Sequence, residues 1–271
     1  MAARALAARL GESFGSVAAM RADVAAQRDA ALLILLAAAG YALLAAAHAA
    51  RARARGRLGG RHAASFARVV HGRYSCAEFD PARRVPQATL DALLALAARA
   101  PSSFNAQPWI AIVVTEPAAR ETLTAALAPG NRPKALSAPV LVVFAGDAQP
   151  EAALAPAATQ PMREALAAYI AQSGSPQAWA FKQTMPAATT LMLAATAHGL
   201  ASTAMEGFRT MAAVRHAVAL PDRYAVAVVV AIGHAKRPRP KRSWRRPLRA
   251  AFHANAYDAA AVANDACAPD L

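Results

Sequence analysis

Cysteine is nearly absent from this chain. Cys76 and Cys267 are the only two in 271 residues, and they form neither a Cys-x-x-Cys pair nor a Cys/His group at metal-ligand spacing. A disulfide framework and a zinc site are therefore excluded, and a reducing compartment fits best. Gly-x-Gly-x-x-Gly, the phosphate-loop pattern Gly-x-x-x-x-Gly-Lys-[Ser/Thr] and His-Glu-x-x-His are also missing. A pyridine nucleotide, if used, is thus not held by a Rossmann turn. Gly11-Glu12-Ser13-Phe14-Gly15 matches Gly-x-Ser-x-Gly, but it lies in a polar tail, without the preceding strand and following helix that a hydrolase nucleophile requires. No repeat of about 20 to 50 residues is apparent. Acidic side chains are scarce, 16 against 30 Lys and Arg, giving a formal charge of +14. That balance favours anionic partners, whether nucleotide, nucleic acid or acidic lipid, without choosing among them.

Alanine supplies much of the 56% hydrophobic content. Because Ala suits a core, a helix surface and a bilayer alike, the helix assignments rest on Leu, Ile, Met and aromatic positions. Residues 1–29 read as a polar tail. From Ala30 to Ala47 run eighteen uncharged residues, close to the ~20 needed to span a bilayer. Residues 30–50 therefore read as a transmembrane or anchor helix, with a buried core helix as the alternative. Arg51, Arg53, Arg55, Arg57 and Arg61 follow at once, which places everything downstream in the cytoplasm by the positive-inside rule. The unit is then either membrane-anchored on the cytoplasmic side or cytoplasmic outright. Residues 51–61 read as a basic linker and 62–271 as the folded unit, one sizeable core rather than two.

Within that unit, the stripe Leu90, Leu93, Leu94, Leu96 predicts an amphipathic helix over Pro86 to Arg99. Trp109 to Val114, Pro139 to Ala145 and Tyr224 to Ile232 are apolar runs that predict buried strands. Helices are predicted over Ala118 to Leu127, Met162 to Ala171, Ala178 to His198 and Met211 to Val218, with Pro186 kinking the third or marking its true start and Gly199 capping it. Residues 148–160 read as a loop. Irregular alternation of strands and helices points to a sheet covered by helices on both faces.

Three separated segments carry the chemistry. The first is Arg73-Tyr74-Ser75-Cys76-Ala77-Glu78-Phe79-Asp80, which sets a permanent guanidinium fork beside a small hydroxyl. The second, Ala100-Pro101-Ser102-Ser103-Phe104-Asn105-Ala106-Gln107-Pro108-Trp109, pins a polar cluster between two prolines at the entrance of a buried strand. The third is Leu200-Ala201-Ser202-Thr203-Ala204-Met205-Glu206-Gly207-Phe208. Taken singly, each has a plain structural reading: a solvated Arg and a turn serine, a helix-to-strand turn, a helix end with a glycine turn. Together they resemble the nitroreductase family. The resemblance covers about His71 to Asn255 and leaves residues 1–61 unexplained.

That resemblance implies an α+β fold, a three-layer α/β/α sandwich with a mixed central sheet, here preceded by the N-terminal apolar helix. It implies an FMN-dependent oxidoreductase that takes electrons from NAD(P)H in ping-pong fashion and gives them to nitroaromatic, quinone or similar acceptors. It also implies an intertwined homodimer with the flavin at the interface. Carried over position by position, Arg73, Tyr74 and Ser75 lie at the FMN phosphate and flavin edge, Ser103, Asn105 and Gln107 at the ring, and Met205, Glu206 and Gly207 near the redox-active nitrogen. Gly207 is read as removing a side chain that would obstruct that approach. Ala77 departs from the family pattern, which has a second basic residue there. From the basic run Lys236 to Arg246, Arg245 aligns best as a replacement phosphate contact, with Lys241 and Arg242 behind it. No acid–base residue and no metal are assigned, and His71, His198 and His234 read as structural. Two alternatives remain: a specialised flavin reaction such as reductive dehalogenation, or a non-catalytic membrane-tethered binding protein whose basic C-terminal run engages nucleic acid or lipid headgroups. Nucleic acid is not the expected partner.

Overall fold

The computed structural model describes residues 59–147, 149, 158–238 and 244–263, together with 40, 43, 44 and 46. All of the predicted span 30–50 except Gly40, Leu43, Leu44 and Ala46, together with residues 51–58 of the predicted linker and the cations Arg239, Lys241 and Arg242, lies outside these residues. Among the described residues no helix is long and apolar enough to cross a membrane. The chain divides into two units, residues 1–68 and 69–271. The described part of the first is almost wholly helical: helix α1 covers 59–72, so residues 59–61 of the predicted linker already belong to it.

The second unit is built on four strands, β1 (Trp109–Val114), β2 (Val140–Asp147), β3 (Ala201–Met205) and β4 (Tyr224–Gly233), in the order β1-β2-β4-β3. Every pairing among them is antiparallel, which corrects the expected mixed sheet. The parallel contact present is an isolated bridge between Ser75 and Ser202. The mixed sheet was implied by the resemblance, and the strands' own pattern does not decide orientation. β2 is buried along its whole length and β4 almost so. Continuous apolar runs usually mark parallel strands, but they arise in any strand covered on both faces.

Both faces are indeed covered, as expected for three layers. On one, Val140, Val142, Phe144, Val228, Val230 and Ile232 pack against α2 (Gln87–Ala97) and the long helix α6 (Pro176–Ala197). On the other, Leu141, Val143, Val226 and Val229 meet residues from α3 (Pro117–Ala125), α4 (Arg132–Ser137) and α7 (Met211–Ala217). Helix α5 (Gln160–Gln172) joins α6 in a smaller cluster of Leu166, Ile170, Trp179 and Ala180. Two short helices, α8 (Leu248–Ala251) and α9 (Ala259–Ala263), follow.

Helix α6 starts earlier than its apolar pattern suggests because Ser175 caps it, accepting from Ala178 N at 3.0 Å, and Pro176 is pre-shaped for the first helical position. Pro186 sits inside the helix and does not start it. At the far end Gly199, with φ of 73°, closes a Schellman turn in which Leu200 N donates to Ala195 O and Gly199 N to Thr196 O. The predicted glycine cap is thus present.

Candidate functional site

The first segment leaves α1 and is stitched to the edge of the sheet. Cys76 N donates to Ser202 O at 3.1 Å, and the Thr203 hydroxyl donates to Cys76 O. Further on, Asp80 N reaches His234 O and Lys236 N reaches Glu78 O, so residues 78–80 run beside the exit of β4. Side chains alternate along this stretch: Cys76 and Phe79 are buried, while Ser75 and Ala77 face outward and Arg73 is half-buried. Tyr74 packs against the core and hydrogen-bonds the Cys76 thiol.

Two members of the basic run are engaged here. The Glu78 carboxylate takes Lys236 Nζ at 2.6 Å and Arg237 Nε at 3.0 Å. The hydrogen bond from Lys236 is the main reason the Glu78 carboxyl titrates below its ordinary range. Burial pushes the Cys76 thiol upward. His234, half-buried beside the Arg83 cation, is held below its ordinary value, chiefly by desolvation.

The third segment continues from β3. Met205 is 1% exposed and belongs to the core, so only its main chain can meet a ligand. Glu206 and Gly207 are exposed. The Gly207 carbonyl accepts from Ala128 N at 3.0 Å and Asn131 Nδ2 at 3.1 Å, which fixes the turn. A Cβ at Gly207 would meet Asn131 Nδ2 at 3.0 Å and Ala128 Cβ at 3.3 Å. The glycine therefore serves this turn's packing against residues 128–131.

Among the described residues, left-handed backbone is concentrated in the second segment. Phe104, Asn105 and Gln107 have φ of 54°, 51° and 46°, a left-handed conformation that costs non-glycine residues energy and persists only where the surroundings impose it. Those surroundings are identifiable. Ser103 N donates to Gln183 Oε1 at 2.8 Å, Gln107 N to Ser102 Oγ at 2.9 Å and Asp147 N to Pro108 O at 2.8 Å. The result is a rigid, exposed display of the Asn105 and Gln107 amides, with the Gln107 amide turned back onto Asn105 O at 3.3 Å. Below it, Asp147 is 2% exposed and paired with Arg223 at 3.2 Å. The Trp109 indole nitrogen is buried without a partner among the described residues. Beside the loop, Ser103, Tyr169, Gln172, Trp179, Lys182 and Gln183 surround an open depression of about 300 Å³. Gln183 and Asp147 were not legible as supports, because each acts on the loop from far along the chain with no local pattern.

One subunit brings the first and third segments together and leaves the second apart. Strands β1 and β3 are opposite edges of the sheet, three strand spacings or about 14 Å apart. Trp109 lies level with Ala225 of β4 through Gly146, whereas Met205 lies level with Val229, a further offset of about 13 Å along the strands. Arg245 is exposed, with Nη1 donating to Trp244 O at 2.8 Å.

The nitroreductase family model matches residues 70–234. This chain belongs to the nitroreductase family. The nitroreductase match spans all three segments and the whole sheet, and it makes the protein an oxidoreductase. Among relatives, a Thermus thermophilus protein named NADH dehydrogenase is 31% identical over 161 residues, covering 55% of this chain and 77% of that protein. Protein DrgA of Synechocystis is 32% identical over 191 residues, covering 67% and 90%. The same fold occurs in the FMN complex of an Exiguobacterium sibiricum protein described as a nitroreductase, at TM-score 0.58 and 23% identity, covering 70% of this chain and 97% of the other.

Proposed function

We propose that this chain is an FMN-dependent NAD(P)H oxidoreductase whose flavin site is completed by a second copy of itself. The observation that carries the reading is the stitching of Ser75 to Ser202, which aligns the first segment with the strand leading to Glu206–Gly207. Ser75 lies level with Ser202, four residues from Glu206, or about 13 Å along the strand. That spacing suits an elongated ligand with a phosphate at one end and a ring at the other. The donor set fits such a group. Arg73, Ser75 and Arg245 offer two permanent cations and a hydroxyl for the phosphate, with Tyr74 supporting the stretch from below. The main chain at Met205, Glu206 and Gly207 faces the ring's reactive edge. Ser103, Asn105 and Gln107 of the partner subunit supply hydrogen bonds to the ring, since the loop lies too far off within one chain.

FMN held by these residues would supply hydride-accepting redox chemistry between NAD(P)H and a nitroaromatic, quinone or similar electrophile, in ping-pong order. The chain's own contribution is binding and orientation. The strained loop is fixed before any ligand arrives, so little ordering cost falls on binding. Purified full-length protein should be yellow and should bleach anaerobically on addition of NADH or NADPH. A colourless protein that takes up no added FMN would overturn the proposal. On hydropathy alone the same reading keeps residues 30–50 as an anchor with the catalytic unit, residues 62–271, on the cytoplasmic side. Partition of the full chain between soluble and membrane fractions tests that part.

A further inference from the structure

We infer that the depression between the 101–108 loop, α5 and α6 is a subsite for a single-ring, planar acceptor bearing an anionic group, and that Lys182 reads the charge. The inference rests on the flavin reading above and names the substrate class of that site.

Ring recognition comes from the mouth of the depression. Phe104 and Tyr169 are 37% and 57% exposed, yet their rings contact each other, with centroids 5.6 Å apart. Phe104 is held outward by its left-handed backbone. Tyr169 lines the depression and Phe104, next to Ser103 of its wall, packs on that ring, so two aromatic faces kept partly in water make a platform for a planar, electron-poor ligand.

Charge recognition comes from the wall. Lys182 is exposed and lines the depression, and no carboxylate among the described residues pairs with it. The acid on α5, Glu164, is engaged instead by Gln160 Nε2 at 3.0 Å. Gln183 next to Lys182 has its Oε1 committed to Ser103 N, which leaves its amide hydrogens as donors. An ammonium beside an amide donor, with no counter-charge, is a receptor for a carboxylate or similar oxyanion.

Location and size point to an acceptor. Ser103 forms one wall and belongs to the same rigid loop as Asn105 and Gln107, so a ligand seated there lies beside whatever that loop holds. A space of about 300 Å³ is at the small end for ligand sites. It accommodates one substituted ring.

The test compares 4-nitrobenzoate with 4-nitrobenzamide, which share a ring and differ in charge, on full-length flavin-loaded protein. Lys182→Gln should raise KM for the benzoate about fivefold and leave the benzamide within about twofold, with flavin content unchanged. Lys182→Glu should extend the loss for the benzoate alone. Tyr169→Ala should weaken both compounds alike. As a readout without turnover, calorimetric titration of the unreactive benzoate ion into oxidised protein should show binding that Lys182→Gln removes. Equal effects of Lys182→Gln on both acceptors, or none on either, would overturn the inference. So would a loss confined to NADPH relative to NADH, because that would assign the lysine to the donor's phosphate. These failures are distinct from that of the flavin reading, which fails only if the wild-type protein takes up no FMN.

Discussion

A methyl group added at position 207 points at Asn131 and Ala128, not into solvent. Gly207→Ala should therefore cost about 1–2 kcal/mol of stability, measured by denaturant titration, as the 128–131 turn is pushed away. Cys76 gives a second prediction at this scale. It is 3% exposed and its thiol is held up by burial, which outweighs the opposing backbone interaction at Glu78 and the hydrogen bond with Tyr74. In a Cys267→Ser background it should stay unreactive to a thiol-specific disulfide reagent at pH 8 until the protein is unfolded; fast reaction in the native state would contradict the packing described. The third concerns acid. His234 is depressed from its ordinary 6.5, first by burial and then by Arg83, with Asp80 opposing. The folded state thus binds its proton less readily than the unfolded chain, so the contribution is complete above pH 6.5 and is lost as pH falls through the lowered folded value. Glu78, also depressed, contributes above its ordinary 4.5 and loses that contribution only at lower pH. His234→Gln should flatten the upper part of the acid-stability curve and leave the lower part in place. A curve unchanged between pH 6.5 and 5 in the variant would refute the assignment.

Elements were legible where burial wrote a long apolar run, and illegible where it did not. Trp109–Val114 was readable to the residue, and β2 and β4 to within a residue or two at each end. β3 was missed as a strand, since Ala-Ser-Thr-Ala-Met carries no large β-branched side chain. Its strand character comes from pairing with β4 and from the bridge to Ser75, neither of which is local. The six-residue α4 was also missed, because its one buried position, Ala135, leaves no stripe. The mode of attachment between elements was equally hidden. Gly146 lies against α6 so closely that a Cβ would stand 2.8 Å from Ala180 Cβ and 2.9 Å from Thr184 Oγ1. Helix α6 must therefore move if that position gains a side chain. Gly146→Val should destabilise the fold by roughly 3 kcal/mol, seen as a lower Tm. The same substitution should disturb the 101–108 loop, because Ser103 hangs on Gln183 of α6 and Pro108 on Asp147, the neighbour of Gly146.

At the scale of the molecule, motifs nominate the residues proposed for the site but say nothing of their arrangement. Motif spacing identifies Arg73, Ser75, Asn105 and Glu206, whereas only the strand order reveals that Asn105 sits across the sheet from the others. On the proposed reading, a single subunit would carry two half-sites at opposite edges of the sheet. A two-fold dimer with one flavin pocket per half-site pair joins Arg73 of one copy to Asn105 of the other, twice over. This arrangement makes a quantitative demand. Arg73→Ala and Asn105→Ala should each lose flavin when purified alone. When the two variants are unfolded together and refolded as a mixture, a heterodimer holds one pocket with both defects and one with neither. Random pairing makes half the dimers heterodimers, so roughly a quarter of all pockets should regain FMN, read from the visible absorbance per subunit. If both residues served a pocket within one chain, no mixture could restore any. Recovery near zero, from a mixture whose heterodimers are demonstrated by a tag on one partner, would place the two residues in the same subunit's site and remove the shared-pocket proposal.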